Sequence, residues 1–334
     1  MNDDAALGEW LKANVAGFEG PFELMKFPSG QSNPTYRIVT TSGNYVLRRK
    51  PFGPLLPSAH AVDREYRLMA ALHPMGFPVP RPLALCLDES VLGAIFYVME
   101  LANGRSYSNG ALPEFDVTTR RRMYDQLVDT LAHLHNVDAE AVGLGDFGKA
   151  GNYFERQVTR WTRQYRDSQT DEIPEMERLI AFLPATLPHQ SRLSIVHGDY
   201  RIDNVLFSDG RLTAVLDWEL ATLGDPVADF SYLAMQWAMP ADGGAGLDGL
   251  DLEALGIPNL DELVRRYSER SGVRFAGNLD WYFAYNLFRL AGIVQGIKKR
   301  LIDGTASHAQ ATEMAKRVPM LAQAAWRFAE KAGA

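Results

Sequence analysis

Residues 195–219 carry side chains whose types and spacing suit the movement of a phosphoryl group. An apolar run ends in His197-Gly198-Asp199, and a carboxamide, Asn204, follows five residues after that aspartate. A turn at Ser208-Asp209-Gly210 leads into a second run that ends at Asp217, thirteen residues beyond Asn204. Transfer of phosphate from ATP to a hydroxyl needs such a set: one carboxylate orients and deprotonates the hydroxyl, while other oxygens hold magnesium against the phosphates. Asp199 fits the first role, and Asn204 and Asp217 offer the hard oxygens that suit magnesium. Taken singly, Asp199 reads as a turn aspartate, Asn204 as a turn residue and Asp217 as a strand-end cap. Their spacing in a strand-turn-strand setting decides for chemistry. Asp217 also follows Ala214-Val215-Leu216, where an unpaired carboxylate would be expensive and a bound cation would remove the cost. Arg201, two residues after Asp199, is placed to touch the transferring group, with a surface arginine as the plainer reading. His197 reads as a brace for the loop.

A phosphate clamp is expected on an earlier strand. In Tyr45-Val46-Leu47-Arg48, alternation puts Val46 and Arg48 on one face, so Val46 could roof an adenine while Arg48 points into a cleft. Glu65, amid Leu68, Met69 and Leu72 on a helix, is its expected carboxylate partner, and a guanidinium can grip carboxylate and phosphate alike. The polar connection 29–33, with Gly30 and Ser32, is the candidate phosphate-covering loop, although Gly30 is its only glycine. Gly244 to Gly249 matches G-x-G-x-x-G literally but follows a helix, and reads as a flexible loop. Asp225 caps a helix begun by Pro226, and Asp229 is architectural with it.

The elements that must position these groups fall into two regions. Residues 1–102 read as five strands (23–27, 35–41, 45–49, 83–87 and 94–101) with one helix, 60–72, capped by Ser58. Residues 103–334 are mostly helical. Met123, Leu127, Leu131 and Leu134 recur at helical spacing, as do Phe154, Val158, Trp161 and Tyr165, and both stripes read as core. Further helices are expected near 226–237, 259–271, 279–301 and 307–330. The result is an α+β, bilobal chain with a small sheet region and a larger helical one.

Bulk properties narrow the function. The 334 residues are 46% hydrophobic and 22% charged, with a net charge of −7, which argues against a nucleic-acid-binding surface. Cys86 is the only cysteine, which suits a reducing compartment. The most apolar segment, 91–99, is too short to span a bilayer. A cytoplasmic protein with no membrane partner is the expectation.

H-G-D-Y-R-I-D-N at 197–204, V-L-D-W-E at 215–219 and G-D-P-V-A-D-F at 224–230 resemble the aminoglycoside phosphotransferase and choline kinase-like family of small-molecule kinases. Residues 46–66 resemble one branch, the kinase domain fused to some acyl-CoA dehydrogenases and implicated in hydroxyacyl-CoA breakdown. The resemblance implies a protein-kinase-like fold that uses ATP and magnesium. It makes Asp199 the catalytic base, Asn204 and Asp217 the metal ligands, Arg48 the phosphate clamp and Glu65 its partner. It also makes 97–102 a hinge where backbone groups of Glu100 and Leu101 or Ala102 read the adenine. The acceptor would be a small hydroxylated molecule, with hydroxyacyl-CoA foremost and an acyl-CoA dehydrogenase as a functional link. An amino alcohol or aminoglycoside acceptor, or a nucleotide-binding pseudokinase module, are the alternatives. Two departures stand out: arginine where many relatives carry lysine, and Asp-Trp-Glu in place of Asp-Phe-Gly. Arg156, Arg160, Arg163 and Arg289 could meet a CoA phosphate, or be solvated helix faces.

Overall fold

Alternation in the first hundred residues becomes a five-stranded antiparallel sheet: β1 (Phe22–Lys26), β2 (Thr35–Thr40), β3 (Asn44–Arg49), β4 (Pro82–Cys86) and β5 (Phe96–Glu100), in the order β1-β2-β3-β5-β4. The computed structural model describes residues 2–27, 33–52, 60–149, 151–190, 192–275, 277–304 and 309–334. Register sorts the side chains of β3. Val46 pairs with Met99 and Arg48 with Tyr97 on one face, while Leu47 pairs with Val98 on the other.

Each face has its own helix. Helix α1 (Asn2–Asn14) and the turn after it lay Leu7, Leu11, Val15 and Phe18 against Ile38, Leu47, Phe96 and Val98. Helix α2 (Val62–Leu72) packs Val62, Leu68, Met69 and Leu72 on the face that carries Val46, Tyr97 and Met99. The sequence reading expected only one helix in this region. Leu7, Leu11 and Val15 do recur every four residues, but a one-residue-wide stripe in a polar segment is a weak signal. Helix α2 starts at Val62, not at 60, because His60 adopts a left-handed φ of 59°. Ala61 occupies the cap position without a side-chain hydrogen bond, and Ser58, the expected cap, lies outside the described residues.

The remainder is mostly helical: α3 (Val117–Asn136), α4 (Tyr153–Ser168), α5 (Pro174–Ala185), α6 (Pro226–Ala234), α7 (Leu252–Leu255), α8 (Leu260–Ser271), α9 (Asp280–Ile302), α10 (Ala309–Ala315) and α11 (Val318–Lys331). The expected helix 307–330 is two helices, with Pro319 in the first turn of α11. Helix α9 buries residues on all sides, including Phe283, Tyr285, Leu287 and Phe288, as a central core helix must. Against it α4 turns its aromatic face: Phe154 meets Trp281 at 5.2 Å and Tyr285 at 5.5 Å, both edge to face. No helix among the described residues is long and apolar enough to cross a membrane.

Two short ribbons interrupt the helices where the chemistry-bearing residues lie. Strand β6 (Ser194–Val196) pairs with β9 (Thr222–Gly224), and β7 (Val205–Ser208) pairs with β8 (Arg211–Val215). Asp209 and Gly210, with φ of 50° and 68°, close the β7–β8 hairpin in the doubly left-handed turn that matches strand twist. Asp225 caps α6, its Oδ1 accepting from the Val227 amide at 2.8 Å, with Pro226 in the first turn. The Gly244–Gly249 loop is pinned rather than loose: Leu247 is buried and its amide donates to Gln236 O at 2.8 Å.

Candidate active site

Arg48 leaves β3 on the face opposite Leu47 and enters a nest of carboxylates. Its Nε lies 2.9 Å from Glu65 Oε2, an ion pair out of line for a hydrogen bond. Its Nη2 donates to Asp217 Oδ1 at 2.9 Å and lies 3.9 Å from Glu219 Oε2. Burial works against the guanidinium charge, but Glu65 and Asp217 outweigh it and hold Arg48 above the usual arginine range. Glu65 also accepts from Asn33 Nδ2 at 2.9 Å and from the Tyr97 hydroxyl at 3.1 Å. His60 Nδ1 sits 3.0 Å from Asn33 Oδ1, so a polar chain runs from His60 through Asn33 and Glu65 to Arg48. Burial pushes the Glu65 carboxyl up to about 7, against the pull of Arg48.

The loop from His197 to Asn204 is braced from three directions. The His197 ring contacts Leu216 O through Nε2 at 2.8 Å, and the Asp199 amide donates to its Nδ1 at 3.2 Å. That pair of partners fits the tautomer with the proton on Nε2. Asp229, fully buried on α6, accepts from the amides of His197 at 2.5 Å and Gly198 at 2.7 Å, with His135 Nε2 at 3.3 Å. Burial raises the Asp229 carboxyl, yet His135, His197 and the Gly198 amide overcome it and hold it below the ordinary carboxylate value. From the other side, Arg289 Nη2 donates to Gly198 O at 2.5 Å. Gly198 has φ of 83°, and a Cβ there would lie 2.8 Å from Leu220 O, so the turn admits no other residue without strain.

These braces set out Asp199, Asn204 and Asp217. Asn204 Nδ2 donates both to Asp199 O and to Asp199 Oδ2, each at 2.9 Å. The carboxamide nitrogen is thereby committed to the loop, and its oxygen is not. The Leu216 amide donates to Asn204 O at 2.8 Å, which sets residue 204 beside the chain that leads into Asp217. Asp217 takes a left-handed backbone, φ 64° and ψ 63°, as β8 gives way to a turn of 3₁₀ helix. Arg201 lies with Nε 3.8 Å from Asp199 Oδ2 and Nη2 3.0 Å from Asp203 Oδ2, so it sits beside the candidate base. Asp203 is raised by burial, with Arg201 opposing.

Among the described residues no three His, Cys, Asp or Glu side chains gather into a self-sufficient metal site. Asn204 and Asp217 can contribute two hard oxygens, which fits magnesium that completes its octahedron with phosphate and water.

The other expected positions are placed less tightly. Glu100 ends β5 exposed, its side chain 3.4 Å from Arg81, and its amide donates to Arg81 O at 2.9 Å, so that amide is committed. Leu101 and Ala102 follow, half-buried, where the chain leaves the sheet. Gly30 and Ser32 lie outside the described residues. Arg289, weighed only for its charge, proves buried at Gly198, its guanidinium 5.3 Å over the Trp161 ring and 5.0 Å over that of Tyr232. Asn33, Tyr97 and His135 were missed as supports. Nothing local marks them, since each acts through a partner at least 32 residues away.

The family model described as the phosphotransferase enzyme family, APH, matches residues 23–264. Mouse acyl-CoA dehydrogenase family member 10 is 44% identical over 98% of the chain, and the chain spans 31% of that relative's length. A solved structure from Ralstonia eutropha, assigned as an aminoglycoside phosphotransferase, superposes with a TM-score of 0.89 at 45% identity, covering 98% of each chain. Choline kinase from Cryptosporidium parvum shares the fold at 10% identity, with a TM-score of 0.69 over 98% of this chain and 97% of its own.

Proposed function

We propose, from the premise that the chain belongs to the APH phosphotransferase enzyme family and is a small-molecule phosphotransferase of that kind, that it moves the γ-phosphate of ATP onto a hydroxyl at Asp199 with magnesium held by Asn204 and Asp217. The observation that supports this reading is that Asn204, bonded through its side chain to Asp199, takes the amide of Leu216, the residue before the Asp217 that Arg48 holds. Magnesium, when bound, would neutralise phosphate charge. Asp199 Oδ1 or Oδ2 takes the proton of the acceptor hydroxyl as its oxygen bonds phosphorus, and the bond to ADP breaks on the opposite side. Arg48 turns a guanidinium edge to the phosphates, and Glu65 keeps it aimed. Arg201 adds positive charge beside the transferring group. Backbone groups of Glu100, Leu101 and Ala102 meet the adenine. Most of the rate then comes from position and charge rather than covalent chemistry.

For the acceptor we favour a hydroxyacyl-CoA thioester. The support is the name carried by relatives such as the mouse protein, an acyl-CoA dehydrogenase family member, and it extends to a functional link with such a dehydrogenase. A phosphotransfer screen over hydroxyacyl-CoAs, choline and aminoglycosides tests the reading. Turnover of a hydroxyacyl-CoA alone supports it; turnover confined to choline or an aminoglycoside moves the acceptor, and turnover of none makes the chain a nucleotide-binding module.

A further inference from the structure

The face of α4 away from its aromatic core side lines an open groove of about 510 Å³ beside the N-terminal cap of that helix. Arg156, Arg160 and Arg163 form its wall, with Asn152 at one end and Glu155 as the only acidic member. Their spacing of four and then three residues stacks three like charges on one strip of helix, an arrangement that destabilises the helix. A chain of net charge −7 thus gathers cations on one face at a local cost. Arg156 Nη1 donates to Gly151 O at 2.8 Å, whereas Arg160 and Arg163 stand exposed.

The groove connects to the candidate base. The Arg160 guanidinium lies 5.2 Å over the Trp161 ring and that of Arg289 lies 5.3 Å from the same ring. Arg289 then donates to Gly198 O, the residue before Asp199, and its Nε is buried with no hydrogen-bond partner among the described residues. The hydroxyls of Tyr153 and Tyr285, buried between, feel both Arg160 and Arg289, so the two cations share one neighbourhood. Arg160 on the helix surface and buried Arg289 at the loop of Asp199 thus flank one indole.

We infer that this arginine strip of α4 is the docking groove for the phosphates of the acceptor. The acceptor then is an organic polyphosphate whose hydroxyl-bearing end extends from this groove to Asp199. Guanidinium forks match phosphate oxygens two at a time, and Arg160 and Arg163, one turn apart, can take more than one phosphate, with Arg156 adding charge at the end of the strip. The same strip repels polycationic acceptors. This inference rests on Asp199 being the phosphotransfer centre, and it deepens the acceptor assignment by giving the handle a place.

The test uses CoA itself as a probe, together with a hydroxyacyl-CoA and the same hydroxyacyl group on N-acetylcysteamine, which has no phosphates. CoA should bind the wild-type protein in calorimetry, more weakly as salt rises. Arg160→Glu/Arg163→Glu should weaken that binding about tenfold or more, and Arg160→Lys/Arg163→Lys should restore part of it. In turnover, the preference for the CoA thioester over its phosphate-free analogue should fall by a similar factor in the charge-reversal variant. CoA that fails to bind, or binds the charge-reversal variant as well as wild type, overturns the groove whatever the turnover shows. Loss of CoA binding in the variant, with no hydroxyacyl-CoA phosphorylated by wild type, keeps the groove and removes the acceptor assignment alone.

Discussion

Arg48 Nη2 lies 2.9 Å from Asp217 Oδ1 while its Nε lies 2.9 Å from Glu65 Oε2, so one side chain bridges carboxylates from α2 and from the turn after β8. The sheet and the β7–β8 hairpin are tied at the point where nucleotide phosphates would enter. Arg48→Met should therefore cost both fold and function. Removing one partner of a buried pair typically costs about 3–5 kcal/mol. Here the stranded Glu65 already holds its proton up to about pH 7, so it can neutralise itself. We expect a loss of about 2 kcal/mol in denaturant unfolding at pH 7, with a larger loss at pH 8.5, where a protonated Glu65 is more costly to keep. Equal losses at the two pH values would remove Glu65 as the group left unpaired.

Asp199→Ala should abolish phosphoryl transfer while ATP binding survives. Asn204 keeps its bond to the Asp199 backbone carbonyl after the side chain is gone, so the loop retains one of its two ties. General-base loss is worth about 10²–10⁴ in rate. Single-turnover phosphotransfer is the measurement, and retained turnover removes Asp199 from the mechanism.

Asp217→Ala removes an oxygen proposed for magnesium and also frees Arg48 from one of its carboxylates. These two effects oppose each other for ATP. Loss of the metal oxygen weakens ATP with magnesium present, whereas a released Arg48 strengthens metal-free ATP. Calorimetry with and without magnesium should therefore show affinities that converge in the variant, and an unchanged gap between them refutes the metal assignment.

Much of this arrangement was legible in the sequence, and the remainder has a common physical cause. The strands were read from alternation, β-branched residues and the turns between them, and alternation in β3 put Val46 and Arg48 on one face, as the register shows. Asp199, Asn204 and Asp217 were singled out by their spacing along one strand-turn-strand stretch. The fold matches the α+β kinase-like arrangement expected of them. What escaped was support from afar. Asp229 looked architectural beside Pro226, but that it takes the amides of His197 and Gly198 depends on α6 packing under β6, which no local pattern encodes. Arg289 read as one charge on a helix, and only tertiary packing puts it against Gly198 O.

Asp229→Ala tests that support directly. The buried carboxylate accepts two amides and faces His135, so its removal leaves two buried N–H groups without acceptors, each costing about 1–3 kcal/mol. We expect a destabilisation of about 3 kcal/mol and a fall in kcat greater than any rise in the KM for ATP, since the loop that carries Asp199 loses its brace. Because burial is overcome and the folded carboxyl is held below its ordinary 3.8, Asp229 contributes stability above that pH and loses it as acid titrates the folded group. Wild type and variant should then converge in stability under strong acid; curves that stay parallel down to the folded titration would show that Asp229 acts by packing alone.

Glu65 gives the opposite sign. Its carboxyl rises from an ordinary 4.5 to about 7 because burial penalises the charged form more than Arg48 favours it. Between those values the native state holds a proton that the unfolded chain has released. The stability that Glu65 contributes is therefore complete below pH 4.5 and is lost as pH rises through 7. Glu65→Gln cannot titrate, yet it keeps a carbonyl oxygen for Asn33 Nδ2 or the Tyr97 hydroxyl. Set against that variant, the wild-type unfolding free energy should fall by roughly 2–3 kcal/mol from pH 4.5 to pH 7.5 and then level off. Nucleotide-free protein is the sample to use, since bound phosphate would draw Arg48 away. A difference that stays flat across this window would mean that Arg48, Asn33 and Tyr97 together keep Glu65 ionised throughout, and that burial does not govern it.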